Sequence, residues 1–393
     1  MNRRYFDHAS SSPLRPVGRT AIDKALDLTG DPGRIHSEGM SARHAVEVAR
    51  QQVADFFGAR SREVVFTSGA TESIAVACFG AAQRNPGSPS VLSAMEHSAV
   101  RLNAQRHGPV QSISVDQTGR VDLDQLLATL SQQPAIVHLQ QGNHEVATLQ
   151  DLAPVGAACR DHEVLLHVDA AQAGGHMALN FADLGADLVS VSAHKFGGPV
   201  GVGALLIRRG LRLAPLLLGG EQERARRAGL ENTPAIAGFG AVCAALTPEV
   251  LASEETLARQ QTIRLATGLS ALDGVTLYGH PNYRLPHLVC LGIDGVEPQA
   301  VLLGLDRLGI AAHSGSACAS EGLEPSPVLE AMGVDAHRSL RLSPVARIPS
   351  SMSTPASGIG RSGICATTRR RACWPPWTGG GLIRRGSRPL MPS

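Results

Sequence analysis

One lysine invites a chemical question. Of the 36 basic residues in the chain only Lys24 and Lys195 are lysines. Arginine and lysine interchange readily on solvated surfaces, so a chain that writes arginine almost everywhere leaves lysine where a guanidinium cannot serve. What the amine alone can do is lose its proton near neutral pH and condense with a carbonyl as a Schiff base. Lys195 lies in ADLVSVSAHKFGGPVGVGALLIRRG, directly after an apolar run. Asp169 closes another such run, VLLHVD. A carboxylate there is poorly solvated and needs a cationic partner.

A protonated heteroaromatic nitrogen would be that partner. In pyridoxal phosphate enzymes an aspartate holds the ring nitrogen positive while a lysine takes the aldehyde, which fits the pair Asp169 and Lys195. The stretch FTSGATES reads as a strand, a small-residue turn and a helix start. Free backbone N–H groups and the Thr71 hydroxyl there suit a phosphate, although an ordinary helix cap has the same pattern. His97, in SAMEHSAV, can stack on a flat ring or move protons near pH 7. Cys318 sits in a small-residue loop, HSGSACASEGLEPS, where a thiol can act as a nucleophile. Cys78, Cys159, Cys243 and Cys290 lie in apolar contexts, and Cys365 and Cys373 in the C-terminal stretch. Arg341, in SLRLS, offers the planar fork that grips a carboxylate.

These residues need a scaffold. Short apolar runs ending in polar or glycine-rich turns recur (EVVFTSGATES, SVLSAMEHSAV, AIVHLQQGNHE, VLLHVDAAQAGG, DLVSVSAHKFGG, GALLIRRG), with helix-like segments such as SARHAVEVARQQVADFFGA between them. That alternation predicts an α/β fold with a mostly parallel sheet and helices on both faces. Ligands then bind beyond the carboxyl ends of the strands, which singles out Thr71, Glu96, His97, His144, Asp169, Gln172, His194 and Lys195. From about residue 250 the texture changes to a smaller α+β unit. Residues 344–393 contain eight arginines, both tryptophans and no acid, so the overall charge of +2 conceals a mildly acidic body. This stretch reads either as a disordered extension or as translation in a shifted frame of a GC-rich gene. The body lacks the basic stripe of a nucleic-acid binder. The apolar runs are too short for a membrane span and MNRRYFDHASSS lacks the core of a signal peptide, which predicts a cytoplasmic protein. Seven cysteines without paired short spacings argue against a disulfide framework or a zinc ribbon.

Taken in order, YFDHASSSPLRP, DPGRIHSEG, FTSGATES, MEHSAV, NHEVATLQ, HVDAAQ, SVSAHKFGGPVGVGAL, GGEQERARRAGLEN, SGSACAS and SLRLS resemble the cysteine desulfurases of the class V aminotransferase group, the NifS/IscS-like enzymes. The resemblance covers nearly everything before residue 344. It implies the fold type I of aspartate aminotransferase relatives, with a mostly parallel seven-stranded sheet. It also implies an N-terminal arm over 1–14, a large cofactor domain over 15–250, a small domain over 251–343 and an atypical tail over 344–393. The implied activity removes sulfur from L-cysteine, leaving L-alanine, in a homodimer whose active sites lie at the subunit interface.

By motif, Lys195 would bind pyridoxal 5'-phosphate, Asp169 would pair with its ring nitrogen, and His97 would stack on the ring. Gln172 and His144 would contact the ring hydroxyl, His144 also touching substrate. Ala70, Thr71, Ser192 and His194 would form the phosphate cup. Arg341 would hold the substrate carboxylate, and Cys318 would take the sulfur as a persulfide. The long loop after Cys318 resembles the subgroup that carries the persulfide to an acceptor, an iron–sulfur scaffold or a tRNA-thiolating enzyme.

Three positions depart from the pattern. Leu230 stands where a threonine would reach a phosphate across the dimer, His144 where asparagine is common, and Ala147 where glycine is usual. The alternatives left open are a selenocysteine lyase or another class V enzyme, and a catalytically impaired relative acting as a binding protein.

Overall fold

The computed structural model describes residues 3–314 and 325–345. Its strands, in chain order, are β1 (Arg4–Tyr5), β2 (Val64–Thr67), β3 (Ser90–Ser93), β4 (Val110–Ile113), β5 (Ile136–Gln140), β6 (Leu165–Asp169), β7 (Leu188–Ser192), β8 (Gly203–Ile207), β9 (Val275–Tyr278), β10 (Val289–Ile293), β11 (Ile310–Ala311) and β12 (Ser339–Leu342). Seven of them form one sheet in the order β2-β8-β7-β6-β5-β3-β4. Only β8 runs against its neighbours; the other pairings are parallel.

Every residue of β2, β3, β5, β6, β7 and β8 is buried, which is why these strands read as continuous apolar runs rather than alternating ones. Ala204 and Leu206 of β8 pack into one core cluster, while Leu205 and Ile207 pack into another, so alternate side chains feed the two faces. Helices Ser37–Phe56 and Thr233–Ala245 supply one of these cores, and Ala70–Arg84 the other.

β5 and β6 are aligned so that His138 faces His167 and Gln140 faces Asp169; β6 and β7 pair Asp169 with Ser190. The parallel strands therefore end together, at Thr67, Ser93, Gln140, Asp169 and Ser192. The turn after β2 needs glycine twice. Gly69 has φ +153°, a conformation closed to side chains, and a Cβ on Gly203 would lie 2.7 Å from the Gly69 Cα.

A second sheet, β12-β10-β9, is antiparallel and is accompanied by helices Pro248–Ser270 and Pro298–Arg307. β1 pairs in parallel with β11, and Asp7 bridges to Ser343, so the N-terminal segment starts on this side. It then reaches the large sheet, where the Ser12 N–H donates to the His194 carbonyl. A buried bidentate pair, Arg15 to Glu254 at 2.9 and 2.6 Å, fastens the helix Pro248–Ser270 to that segment, and the same arginine donates to the Phe196 carbonyl beside Lys195. Among the described residues no single helix is long and apolar enough to cross a membrane.

Candidate active site

A cavity opens at the carboxyl ends of the parallel strands. Its wall includes Ala70, Thr71, His97, His144, Asp169, Gln172, Ser192, His194 and Lys195, which brings together every residue expected at the cofactor. Arg341 arrives from β12 in the other sheet and donates from Nη1 to the His144 carbonyl at 3.0 Å. Cys318 and its loop lie outside the described residues, as does the tail beyond residue 345.

One corner of the cavity is the start of helix Ala70–Arg84, capped by Gly69 without a side-chain hydrogen bond. The first N–H groups of a helix have no intrahelical acceptor and carry the positive end of its dipole. Ser68, Gly201, Ser192 and His194 line the same cavity. His194 Nδ1 is buried without a partner among the described residues, and burial, reinforced by Lys195, pulls its ring down to about 4. An anion at this corner would meet several donors, and the nearby Glu72 carboxylate, which takes the Ser68 N–H at 2.7 Å, is paired with Arg227.

At the opposite end Asp169 accepts from the Ala171 N–H at 3.0 Å and from the Ser190 hydroxyl at 3.2 Å, both on Oδ1. Oδ2 keeps its lone pairs for a ligand. Lys195, in the short 3-10 turn Ala193–Lys195 after β7, donates from Nζ to the Ala9 carbonyl at 2.7 Å. Burial drives its amine down from 10.5 to about 8, and Arg341 adds to the effect against the opposing pull of Asp169 and Asp7. About a tenth of such an amine is neutral at pH 7, far more than of an ordinary lysine, and the neutral form is what condensation with a carbonyl needs.

His97 caps helix Ser98–His107, accepting from the Ala99 N–H on Nδ1 at 3.1 Å, which fixes its free proton on Nε2. Its ring meets that of His144 edge to face, centroids 5.1 Å apart. Burial lowers both imidazoles, so both are neutral. Gln172 is held at both ends of its amide, donating to the Ala9 carbonyl at 2.7 Å and standing 3.4 Å from His287. Arg341 is buried, and its Nη2 donates to Asp7 at 3.1 Å and Ser10 at 2.7 Å.

Three participants, Ala9, Asp7 and Ser10, have no counterpart among the residues expected from sequence. The Ala9 carbonyl anchors both Lys195 and Gln172, and a backbone oxygen leaves no side-chain signal. Asp7 and Ser10 hold the Arg341 fork; YFDHASSS contains them, but nothing in the stretch names their target. Glu96, which the sequence singles out, is buried and is not among the residues lining the cavity; it accepts from the Gln140 N–H and the Ser93 hydroxyl, and burial with help from Asp169 pushes it up to about 8. Ala147, the unusual replacement for glycine, has φ +70° and is fully buried.

The residues present fit pyridoxal phosphate: an amine for the aldehyde, a carboxylate for the ring nitrogen, an imidazole beside the ring, and a helix start with an unpartnered histidine nitrogen for the phosphate. Comparison with known proteins agrees. Cysteine desulfurase IscS of Methanosarcina thermophila is 38% identical over 349 residues, covering 86% of each chain. Among solved structures, the NifS-like protein from Rickettsia africae superposes with a TM-score of 0.80 at 30% identity, over 88% of this chain and 94% of that one. SspA in complex with cysteine superposes with a TM-score of 0.75 at 26% identity, over 86% of this chain and 98% of that one. Residues 4–348 match the family described as aminotransferase class-V, and the chain belongs to that family of pyridoxal-phosphate-dependent enzymes.

Proposed function

We propose that the protein is a cysteine desulfurase that converts L-cysteine to L-alanine and leaves the sulfur as a persulfide on Cys318. The observation that carries this reading is the convergence of Lys195, Asp169, His97 and the Ala70 helix start on one cavity, with Arg341 fastened to its His144 wall. On this reading residues 15–250 form the cofactor domain, 251–343 the smaller domain and 1–14 the arm between them.

Bound here, pyridoxal phosphate supplies an electron sink that makes the α-proton of an attached amino acid removable. The protein does the rest. Asp169 presents a carboxylate to the ring nitrogen and keeps a proton there. Lys195, lowered to about 8, is neutral often enough to take the α-proton and return it. Neutral His97, with its proton on Nε2, flanks the reacting groups. Arg341, already oriented by Asp7, Ser10 and the His144 carbonyl, keeps an unpartnered Nε among the described residues and gives the substrate carboxylate a fixed cation. The Cys318 thiolate attacks the substrate sulfur. The S–S bond forms as the C–S bond breaks, the electron pair goes to carbon, and protonation of carbon completes alanine.

The working form is a homodimer in the cytoplasm. Ile35, Leu218 and Leu230 are 96%, 83% and 63% exposed, and they flank a groove lined by residues 31–34, 220–224 and 231. Apolar side chains this exposed favour burial by a second copy. Cys78, Cys159, Cys243 and Cys290 are unpaired thiols, in keeping with a reducing compartment. The persulfide passes to an acceptor, an iron–sulfur scaffold or a tRNA-thiolating enzyme.

The test is the visible absorption of the purified protein before and after L-cysteine, with alanine assayed in the same sample. A band that changes on cysteine addition while alanine accumulates, lost in Lys195→Ala and retained without sulfur transfer in Cys318→Ala, is the expected result. Full sulfur transfer by Cys318→Ala would refute the assignment, and turnover of selenocysteine alone would make the protein a selenocysteine lyase.

A further inference from the structure

Behind the cavity wall, inside the sheet, lies a row of polar side chains that the proposed chemistry does not use. Cys78 Sγ of helix Ala70–Arg84 is 3.7 Å from His138 Nε2, and His138 Nδ1 is 2.9 Å from His167 Nδ1. His167 Nε2 is 3.2 Å from the Ser190 hydroxyl, which donates to Asp169 Oδ1 at 3.2 Å. Both imidazoles are completely buried, in the middle of strands whose other residues are mostly apolar. Burying polar rings there is unfavourable unless their nitrogens are matched, and the in-register pairing of His138 with His167 matches them.

The protons in this row can be placed by elimination. Ser190 has one hydrogen and gives it to Asp169, so toward His167 it can only accept. His167 therefore carries its proton on Nε2, and as a neutral ring it is bare at Nδ1. His138 must then donate from Nδ1, which leaves its Nε2 bare to accept from the Cys78 thiol. Burial keeps the parts in these forms: it pushes the Cys78 thiol up to about 12, pulls His138 down to about 3 and holds His167 well below its ordinary value. Every bond in the row points the same way, from Cys78 toward the Asp169 carboxylate. Aligned hydrogen bonds polarise one another, and the positive end of this row falls on Oδ1.

We propose that His138 and His167 are positioning residues which, through Ser190, hold the Asp169 carboxylate in one orientation, with Oδ2 turned to the ring nitrogen of the cofactor. Only that last step rests on the desulfurase reading; the direction of the row does not. Carboxylates and histidines that act on a reactive group are commonly oriented by a partner one layer further out, and loss of such partners at metal centres weakens function roughly 10- to 100-fold.

The experiment uses the full-length holoenzyme labelled with 15N in its histidines and reconstituted with pyridoxal phosphate 15N-labelled at the ring. A 15N–15N coupling across the Nδ1···Nδ1 bond identifies the His138–His167 pair without any substitution. The expected spectrum has His138 protonated on Nδ1, His167 on Nε2, and neither ring cationic at pH 7. Ser190→Ala cuts the row beside Asp169; it should shift the ring-nitrogen signal toward its unprotonated position and lower kcat roughly tenfold, with KM for cysteine unchanged because Arg341 is untouched. The opposite tautomers, a cationic ring, or a ring-nitrogen signal unmoved by Ser190→Ala would overturn the proposal. Wild-type protein that releases no alanine would refute the desulfurase reading alone, since the tautomers and the ring-nitrogen shift are read from the same sample and still decide the direction of the row.

Discussion

Lys195 lowers the stability of the fold in which it acts, and replacing it should reveal by how much. In the unfolded chain the amine titrates near 10.5, and in the folded protein near 8. Between those values the unfolded state binds more protons, so stability rises with pH. Below pH 8 both states are protonated and the folded state carries the whole cost of a buried ammonium, on the order of 3 kcal/mol. Above about pH 10.5 neither state is charged and the cost is gone. Lys195→Met keeps the length of the side chain and removes the charge. It also removes the hydrogen bond to the Ala9 carbonyl, a loss of about 1 kcal/mol, softened because Gln172 donates to the same oxygen. Cofactor-free variant should therefore exceed cofactor-free wild type by about 2 kcal/mol at pH 7. For a chain of this size that raises Tm by about 2–3 °C. Near pH 10.5 the order should invert, wild type leading by about 1 kcal/mol. Calorimetry of the two proteins from pH 7 to 10.5 measures the difference directly, and other titrating groups cancel. Parallel curves across that range, or a variant that melts lower at pH 7, would refute the account of Lys195 as a buried, suppressed cation.

Three other changes test neighbouring parts of the structure. Glu223 grips Arg50 at 2.6 and 2.7 Å in a buried pair and also accepts from the Phe66 N–H. Glu223→Ala leaves that guanidinium only the half-exposed Glu47 carboxylate and the Val64 carbonyl and should cost about 3 kcal/mol, whereas Glu223→Leu combined with Arg50→Met should recover most of it; equal melting of Glu223→Ala and wild type would contradict this. Ala147→Gly relieves a left-handed residue worth about 1–2 kcal/mol but gives back unfolded-state freedom and a methyl packed near Leu285 and Leu288. A gain of about 0.5 kcal/mol in thermal unfolding is expected, and a loss would mean the methyl contributes more than the strain costs. Leu230→Thr restores a hydroxyl where the family pattern has one. Equilibrium dialysis should show pyridoxal phosphate held roughly tenfold more tightly, and unchanged affinity would mean that Leu230 does not approach the phosphate.

Much of the site's location was legible in the sequence because the scaffold writes itself plainly. A parallel sheet covered on both faces must be built from continuous apolar runs, and the first polar residues after each run fall at the ligand-binding edge. That logic brought Thr71, Glu96, His97, His144, Asp169, Gln172, His194 and Lys195 to notice, and all but the buried Glu96 line one cavity. The change of texture near residue 250 already pointed to a second, smaller unit, whereas the number of strands in the sheet came with the family resemblance. Tertiary structure alone decided which groups touch across the chain. Lys195 and Ala9 are 186 positions apart, and Arg341 and Asp7 are 334 apart. The row from Cys78 to Asp169 exists because β5, β6 and β7 lie side by side in a register that sets His138 opposite His167 and Asp169 opposite Ser190. A histidine inside an apolar run looks the same in sequence whether it has a partner or not. Strand order and register settle the matter, and they are fixed by how the whole core packs rather than by any local pattern.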